Sequence, residues 1–293
     1  ISTSVRRVSG ASGSLRRIME AAISCPAGPV MVIFLVMVRP ALTGEILSTV
    51  MRQETMNRPA LPVFCTLKII ALAAMVFAAV PAMAQERVQV VELFSARNCA
   101  FCPKADEFFH ELIERPGVIG LACHVSYFEA DRSSLSRDFC VQRQTALNKA
   151  LGGGPNFTPE MVVGGAASAI GHKREAVEDL LKKEGPIRMD VKPIHDGAFR
   201  INLPALNVPG AHTISVALID NPRHFSDPKN KQTSQIYKNV VSDWIEVGDW
   251  DGTARTLDFQ VDLRVENKGF AVLVQENETM RIVVAGQMIR AQD

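Results

Sequence analysis

Cys99-Ala100-Phe101-Cys102 stands where a β-branched apolar run, Arg87 to Phe94 (RVQVVELF), gives way to a segment of helical period. A cysteine at the start of a helix meets unpaired backbone N–H groups and the positive end of the helix dipole, and both favour thiolate over thiol. Cys99 is therefore the expected attacking nucleophile. Cys102, one turn further in, is placed to attack a mixed disulfide on Cys99 and release the partner reduced. Pro103 costs little there, because the first helical N–H groups have no intrahelical acceptor, and Asn98 is expected to cap the turn. The chemistry implied is thiol-disulfide exchange, which needs no cofactor. A structural zinc site would want a second ligand pair, and the chain holds no other CxxC and no HxxxH. An inert structural disulfide is the plainer alternative.

The elements that must position this pair follow from the apolar spacing. Asn98 to Glu114 has apolar residues at 101, 105, 108, 109, 112 and 113, one face of a helix. Val118 to Phe128 is a continuous apolar run, as a parallel strand covered on both sides would be. Ser134 to Leu151 reads as a more polar helix with Leu135, Phe139, Leu147 and Leu151 on its apolar side. After the breaker Gly152-Gly153-Gly154-Pro155 come a strand at Pro159 to Val163, a Gly164-Gly165 turn, a short strand to Ile170 and a helix at Lys173 to Glu184. The order β-α-β-α-β-β-α predicts one α/β domain over 85–185. Gly185-Pro186 reads as its boundary. Beyond it, short alternating runs separated by turn signals such as His195-Asp196-Gly197 predict an antiparallel β-sandwich over 186–293.

The runs VVELFSARNCAFCPKAD, HVSYFEAD and FTPEMVVGG resemble a widespread bacterial secreted family of thioredoxin-like proteins long catalogued only as a domain of unknown function. The resemblance extends nearly from end to end of the chain after residue 85, including AVLVQE near its C-terminal end, and implies a thioredoxin-like fold followed by a β domain. In the thioredoxin fold a cis-proline faces the CxxC, so the resemblance assigns that place to Pro159. It leaves the backbone of Thr158 free to pair with an extended substrate strand. Thr158 and Phe101 are the expected substrate contacts; the plainer reading of Pro159 is a trans proline opening an edge strand. Glu92, seven residues before Cys99, lies near where thioredoxins carry a buried acid that handles the inner cysteine's proton. The spacing departs by one residue from that pattern, and the alternative is a carboxylate in solvent or paired with Lys104 or Arg97.

Of the four cysteines after residue 85, with the vicinal pair set aside, Cys123 and Cys140 remain, and a structural disulfide between them is expected; two buried thiols or a second redox relay are the other options. His124 reads as a core histidine or an aid to proton transfer.

Composition narrows the partners. The chain has 32 basic and 31 acidic residues, for a net charge of +1, which predicts no polyanionic partner such as nucleic acid. The balance is uneven: residues 1–84 hold eight basic and three acidic side chains, leaving 24 basic against 28 acidic beyond them. Arg58 and Lys68 precede the twelve apolar residues Ile69 to Val80. Twelve residues of helix rise only ~18 Å, short of a ~30 Å hydrocarbon core. Ala82-Met83-Ala84 supplies a cleavage pattern, so 56–84 is expected to be a signal peptide and 1–55 a non-native upstream extension. The expectation is a periplasmic or secreted thiol-disulfide oxidoreductase acting on protein thiols or disulfides of the cell envelope, with no stable membrane insertion after cleavage. The competing expectation is a binding module whose CxxC is a structural bridge or a Cu(I) site, with His124 nearby.

Overall fold

The computed structural model describes residues 85–127, 135–208, 210–225 and 235–290, all within one compact unit, Pro81–Asp293. The expected upstream extension and signal peptide lie outside the described residues. In chain order the first elements are β1 (Gln89–Ser95), α1 (Cys102–Ile113), β2 (Val118–His124), α2 (Asp138–Ala150), β3 (Glu160–Val163), β4 (Ala167–Ile170) and α3 (Arg174–Leu181). They form a four-stranded sheet in the order β2-β1-β3-β4, with β1 parallel to β2 and antiparallel to β3. Joining two parallel neighbours needs a crossover, and α1 is that crossover. The central strand β1 is almost wholly buried, which is why its sequence runs apolar instead of alternating.

Successive side chains of β1 leave on opposite faces. Val91 and Leu93 pack with Phe108, Phe109 and Leu112 of α1 and Val177 of α3. Val90 goes the other way, into a cluster with Ile119 and Leu121 of β2 that continues through Ala217, Ile219, Val241, Ala271, Leu273 and Ala285. Those last residues belong to the strands after Gly185.

The remaining chain gives β5 (Ile187–Arg188), β6 (Val191–His195), β7 (Ala198–Leu203), β8 (His212–Asp220), β9 (Arg223–Phe225), β10 (Gln235–Tyr237), β11 (Val241–Trp250), β12 (Arg255–Gln260), β13 (Asn267–Glu276) and β14 (Ile282–Ile289). They form a five-stranded sheet β11-β8-β13-β14-β5, a three-stranded sheet β12-β7-β6 and a two-stranded ribbon of β9 and β10. The two larger sheets share a core that includes Phe199, Ile201, Val216, Trp250, Phe259 and Phe270. The five-stranded sheet therefore buries both of its faces, one against the smaller sheet and one against the β1-β2 sheet.

The stretch at Gly185-Pro186 turns alongside the start of β1 instead of leaving it: Val88 N–H donates to Pro186 O at 3.0 Å and Arg188 N–H to Glu86 O at 2.7 Å. Gly165, at φ +64°, is a glycine by necessity, since a methyl group there would lie 2.0 Å from the Met280 carbonyl oxygen in the turn between β13 and β14. Among the described residues no helix is long and apolar enough to cross a membrane.

Candidate functional site

Cys99 and Cys102 are disulfide-bonded at the point where β1 hands the chain to α1. The helix begins at Cys102 with Pro103 in its first turn, and Phe101 occupies the N-cap without a side-chain hydrogen bond. Asn98, expected to cap this turn, lies before it: Cys102 N–H donates to Cys99 O at 3.3 Å, so residues 99–102 form a separate turn ahead of the helix. The first turn of α1 carries no acidic side chain, which leaves its positive end facing the sulfurs. Both residues are buried, Cys99 at 7% exposure and Cys102 at 1%, so Cys99 is the nearer to the surface.

Pro159 lies near the helix that carries Cys102, through Gly171. The Thr158-Pro159 peptide is cis, and Gly171 N–H donates to Pro159 O at 2.8 Å. A methyl group on Gly171 would lie 3.2 Å from both the Ala105 side chain of α1 and the Pro159 ring, so these two elements meet across that glycine. Thr158 is half-buried, and its buried hydroxyl meets no hydrogen-bond partner among the described residues. The segment is held from α2: Gln144 Nε2 donates to Phe157 O at 2.7 Å and to Glu160 Oε2 at 2.8 Å, and Asn148 Nδ2 reaches the same carboxylate at 3.2 Å. Tyr127 fixes Gln144 by donating to its Oε1 at 3.0 Å, and burial pushes that phenol up to about 12.

Phe101 projects outward, 60% exposed, and stacks on His172 with ring centroids 5.3 Å apart. His172 follows Gly171 directly, so an aromatic step stands beside the cysteines and Pro159.

Cys123 and Cys140 are also disulfide-bonded, joining the end of β2 to α2 at 2% and 0% exposure. The four cysteines among the described residues sit in one packed cluster with Phe94, Ala96, Val125, Leu147 and Val162. His124, fully buried at the end of β2, lies edge-on to Tyr237 at 4.9 Å.

Glu92 sits on the α2 face of the sheet, opposite the face that packs α1. Its carboxylate is gripped by the Arg143 guanidinium through two hydrogen bonds, one of 2.8 Å from Nη2 and a shorter one from Nε. Neither Lys104 nor Arg97 is its partner. The buried carboxylate on the side of α1 is Asp106, one turn beyond Cys102 and 4% exposed. Its Oδ2 accepts from Ser95 Oγ at a long 3.5 Å and from Gln235 Nε2, on β10, at 3.0 Å. Burial raises its pKa from 3.8 to about 7, against the pull of the Ser95 and Gln235 hydrogen bonds. The spacing Cys102, Asp106, His110, Glu114 is a single stripe of i, i+4 neighbours, and that signal was present in the sequence.

No group of three or more His, Cys, Asp or Glu side chains is arranged to hold a metal among the described residues. A cleft of about 820 Å³ lined by His195, Phe199, Met288 and Arg290 lies in the β half and includes none of the cysteines.

A protein-family model described as a protein of unknown function (DUF1223) matches residues 90–275. Among solved structures, the chain is similar to a protein of Agrobacterium tumefaciens known from an X-ray crystal structure, at 28% identity and a TM-score of 0.62, over 72% of this chain and 98% of that one. It is also similar in fold to HBP35 of Porphyromonas gingivalis, at 15% identity and a TM-score of 0.51, over 70% of this chain and 76% of that one. No curated protein matches the chain.

Proposed function

The chain belongs to the DUF1223 family of proteins of unknown function, and from that premise we propose that it is a thiol-disulfide oxidoreductase built on a thioredoxin-like half, acting on exported protein thiols or disulfides in the periplasm or outside the cell. The observation that carries this reading is the Cys99–Cys102 bond at the start of α1, with Cys99 the more exposed residue of the two and with Ala105 of that helix and Pro159 both close to Gly171. Thiolate forms readily at such a position. In the reductive direction the Cys99 thiolate attacks a substrate disulfide, one substrate sulfur leaves as a thiol, and a mixed disulfide remains on Cys99. Cys102 then attacks the Cys99 sulfur, the bond to the substrate breaks, and the substrate departs reduced by two electrons while the cysteine pair is oxidised. A dithiol donor returns the pair to its reduced form. The oxidative direction runs the same bonds backward.

Substrate lies across Thr158 and Phe101 in this reading. The Thr158 backbone offers strand-like pairing, and Phe101 with His172 offers an apolar wall. Asp106, not Glu92, is the acid near Cys102, since Arg143 occupies Glu92 on the other face of the sheet. The second disulfide, Cys123–Cys140, acts as a staple. Two buried disulfides also agree with an oxidising compartment.

The test is Cys102→Ser expressed in a bacterial envelope. Mixed disulfides trapped on Cys99 and dissolved by reductant are the expected result. A purified protein that neither oxidises nor reduces model disulfides, and traps nothing through Cys99, would overturn the reading.

A further inference from the structure

The β9–β10 ribbon reaches from the β half onto the helix that carries Cys102. Gln235 Nε2 meets Asp106 at 3.0 Å, the Lys238 N–H donates to His110 Nε2 at 3.3 Å, and Lys238 Nζ pairs with Glu114 at 3.1 Å. Asp106, His110 and Glu114 are successive i, i+4 positions, so the ribbon and the residue after it follow one stripe of α1 for about two turns, as far as the C-cap residue Glu114. The next position of that stripe toward the N-terminus is Cys102, with its Cβ about 5–6 Å from that of Asp106. A second anchor lies at the other strand, where the Arg97 guanidinium stands 4.7 Å over the Phe225 ring.

The amide of Gln235 has a fixed direction. Tyr237 O–H donates to its Oε1 at 2.8 Å, which leaves only the NH₂ end for Asp106. Tyr237 is itself packed by His124 and Phe225, at 4.9 and 5.7 Å between ring centroids. A donor held in this way favours the ionised carboxylate.

We propose that the β9–β10 ribbon tunes the cysteine site: Gln235, oriented by Tyr237, sets the readiness of Asp106 to take the proton of Cys102 as that sulfur resolves the mixed disulfide. The proposal rests on the oxidoreductase reading and adds its regulation. Asp106 receives the proton from the Cys102 thiol, the Cys102–Cys99 bond forms, the Cys99–substrate bond breaks, and the departing substrate thiolate recovers the proton. Gln235 is a positioning residue, acting through Asp106. Both donors to Asp106 are neutral; the titratable and charged groups on the elements packed against it are His110 on α1, Glu114 at its C-cap, Tyr237 on β10 with His124 against its ring, Lys238 after β10, and Arg97 over Phe225 of β9. His110 is itself held below the ordinary histidine range, first by burial and then by Lys238.

The experiment has two arms on the full chain. Carboxyl carbon NMR of the disulfide form follows the Asp106 titration, assigned with Asp106→Asn, in the parent, in Gln235→Leu and in the milder Tyr237→Phe. The inflection is expected near 7 in the parent, higher by roughly one pH unit in Gln235→Leu, and higher by less in Tyr237→Phe. The second arm treats the reduced protein with a small aromatic disulfide, so that one aromatic thiol leaves as the mixed disulfide forms on Cys99, and follows release of the second aromatic thiol by Cys102 against pH; the midpoint should move with the NMR inflection and vanish in Asp106→Asn. Coincident titrations in the parent and both ribbon variants would overturn the proposal, as would a release profile indifferent to Asp106→Asn. If the parent releases no thiol at any pH, the oxidoreductase reading falls and the catalytic half of this proposal with it, while the NMR arm still decides whether Gln235 governs Asp106.

Discussion

Arg143 closes on Glu92 with two nitrogens while its guanidinium carbon stands 3.8 Å over the Trp244 ring, and its remaining nitrogen donates to Gln275 at 3.0 Å. One arginine of α2 thus ties the central strand β1 to β11 and β13. The pair is buried, at 8% and 1% exposure, so removing one partner strands the other's charge. Arg143→Met is expected to cost about 3–5 kcal/mol, with Glu92→Gln recovering much of it in the double variant. Denaturant unfolding of the two single variants and the double decides the point. A harmless Arg143→Met would show that the pair holds nothing together.

Asp106 should make the protein less stable as pH rises. Its carboxyl titrates near 7 when folded and near 3.8 when exposed, so between those values the native state keeps a proton that the unfolded chain has released. The resulting stability is complete below the lower value and lost as pH passes the upper one, on the order of 4 kcal/mol in all. Asp106→Asn removes this dependence and should gain on the parent from about pH 4 to about pH 8. Parallel stability curves for the two proteins across that range would refute the assignment.

The cysteine turn was readable because everything that places it is local. An apolar strand ends at Ser95, a helix starts within a few residues, and the paired cysteines fill the gap. The order of the seven elements through Leu181 was readable for the same reason, each carrying its own period. Asp106 was not, because a polar residue beside Ala105 and Phe108 looks like the wet edge of an amphipathic helix. Only a ribbon 129 positions away covers it. Glu92 was legible as a buried acid or as an ion-paired one, but its partner was not, since Arg143 lies 51 residues on in a helix that reads as mostly polar. That helix buries Gln144 and Asn148 as well, and their purpose appears only when Glu160 and Phe157 are seen beneath them.

The two disulfides should separate under mild reduction. Cys99 is 7% exposed, against 2% and 0% for Cys123 and Cys140, so limiting dithiothreitol is expected to open Cys99–Cys102 first. Alkylation with mass mapping reads the order. Replacing Cys123 and Cys140 together by alanine should cost about 3 kcal/mol, as expected for a closed loop of 17 residues, while leaving Cys99 reactive. Loss of Cys99 reactivity in that variant would argue for a relay between the pairs instead of a staple.

Phe101 contributes little to the core. Exposed and resting on His172, it should be replaceable by alanine within about 0.5 kcal/mol of stability. Its absence should instead slow exchange with peptide disulfides several-fold and leave exchange with small disulfides alone. Equal slowing toward both kinds of substrate would mean that Phe101 supports the turn and not the substrate.

The apolar wall shared by Val90, Ile119 and Leu121 with Ala217, Leu273 and Ala285 also dictates an order of assembly. The strand that leads into the cysteines covers part of its second face with α2, but cannot bury the Val90 end until β13 and β14, synthesised some 180 residues later, have arrived to cover it. A ribosome that stalls at Gly185 would therefore release a sticky half-product, and chaperones should hold the nascent front of this protein until its tail is made.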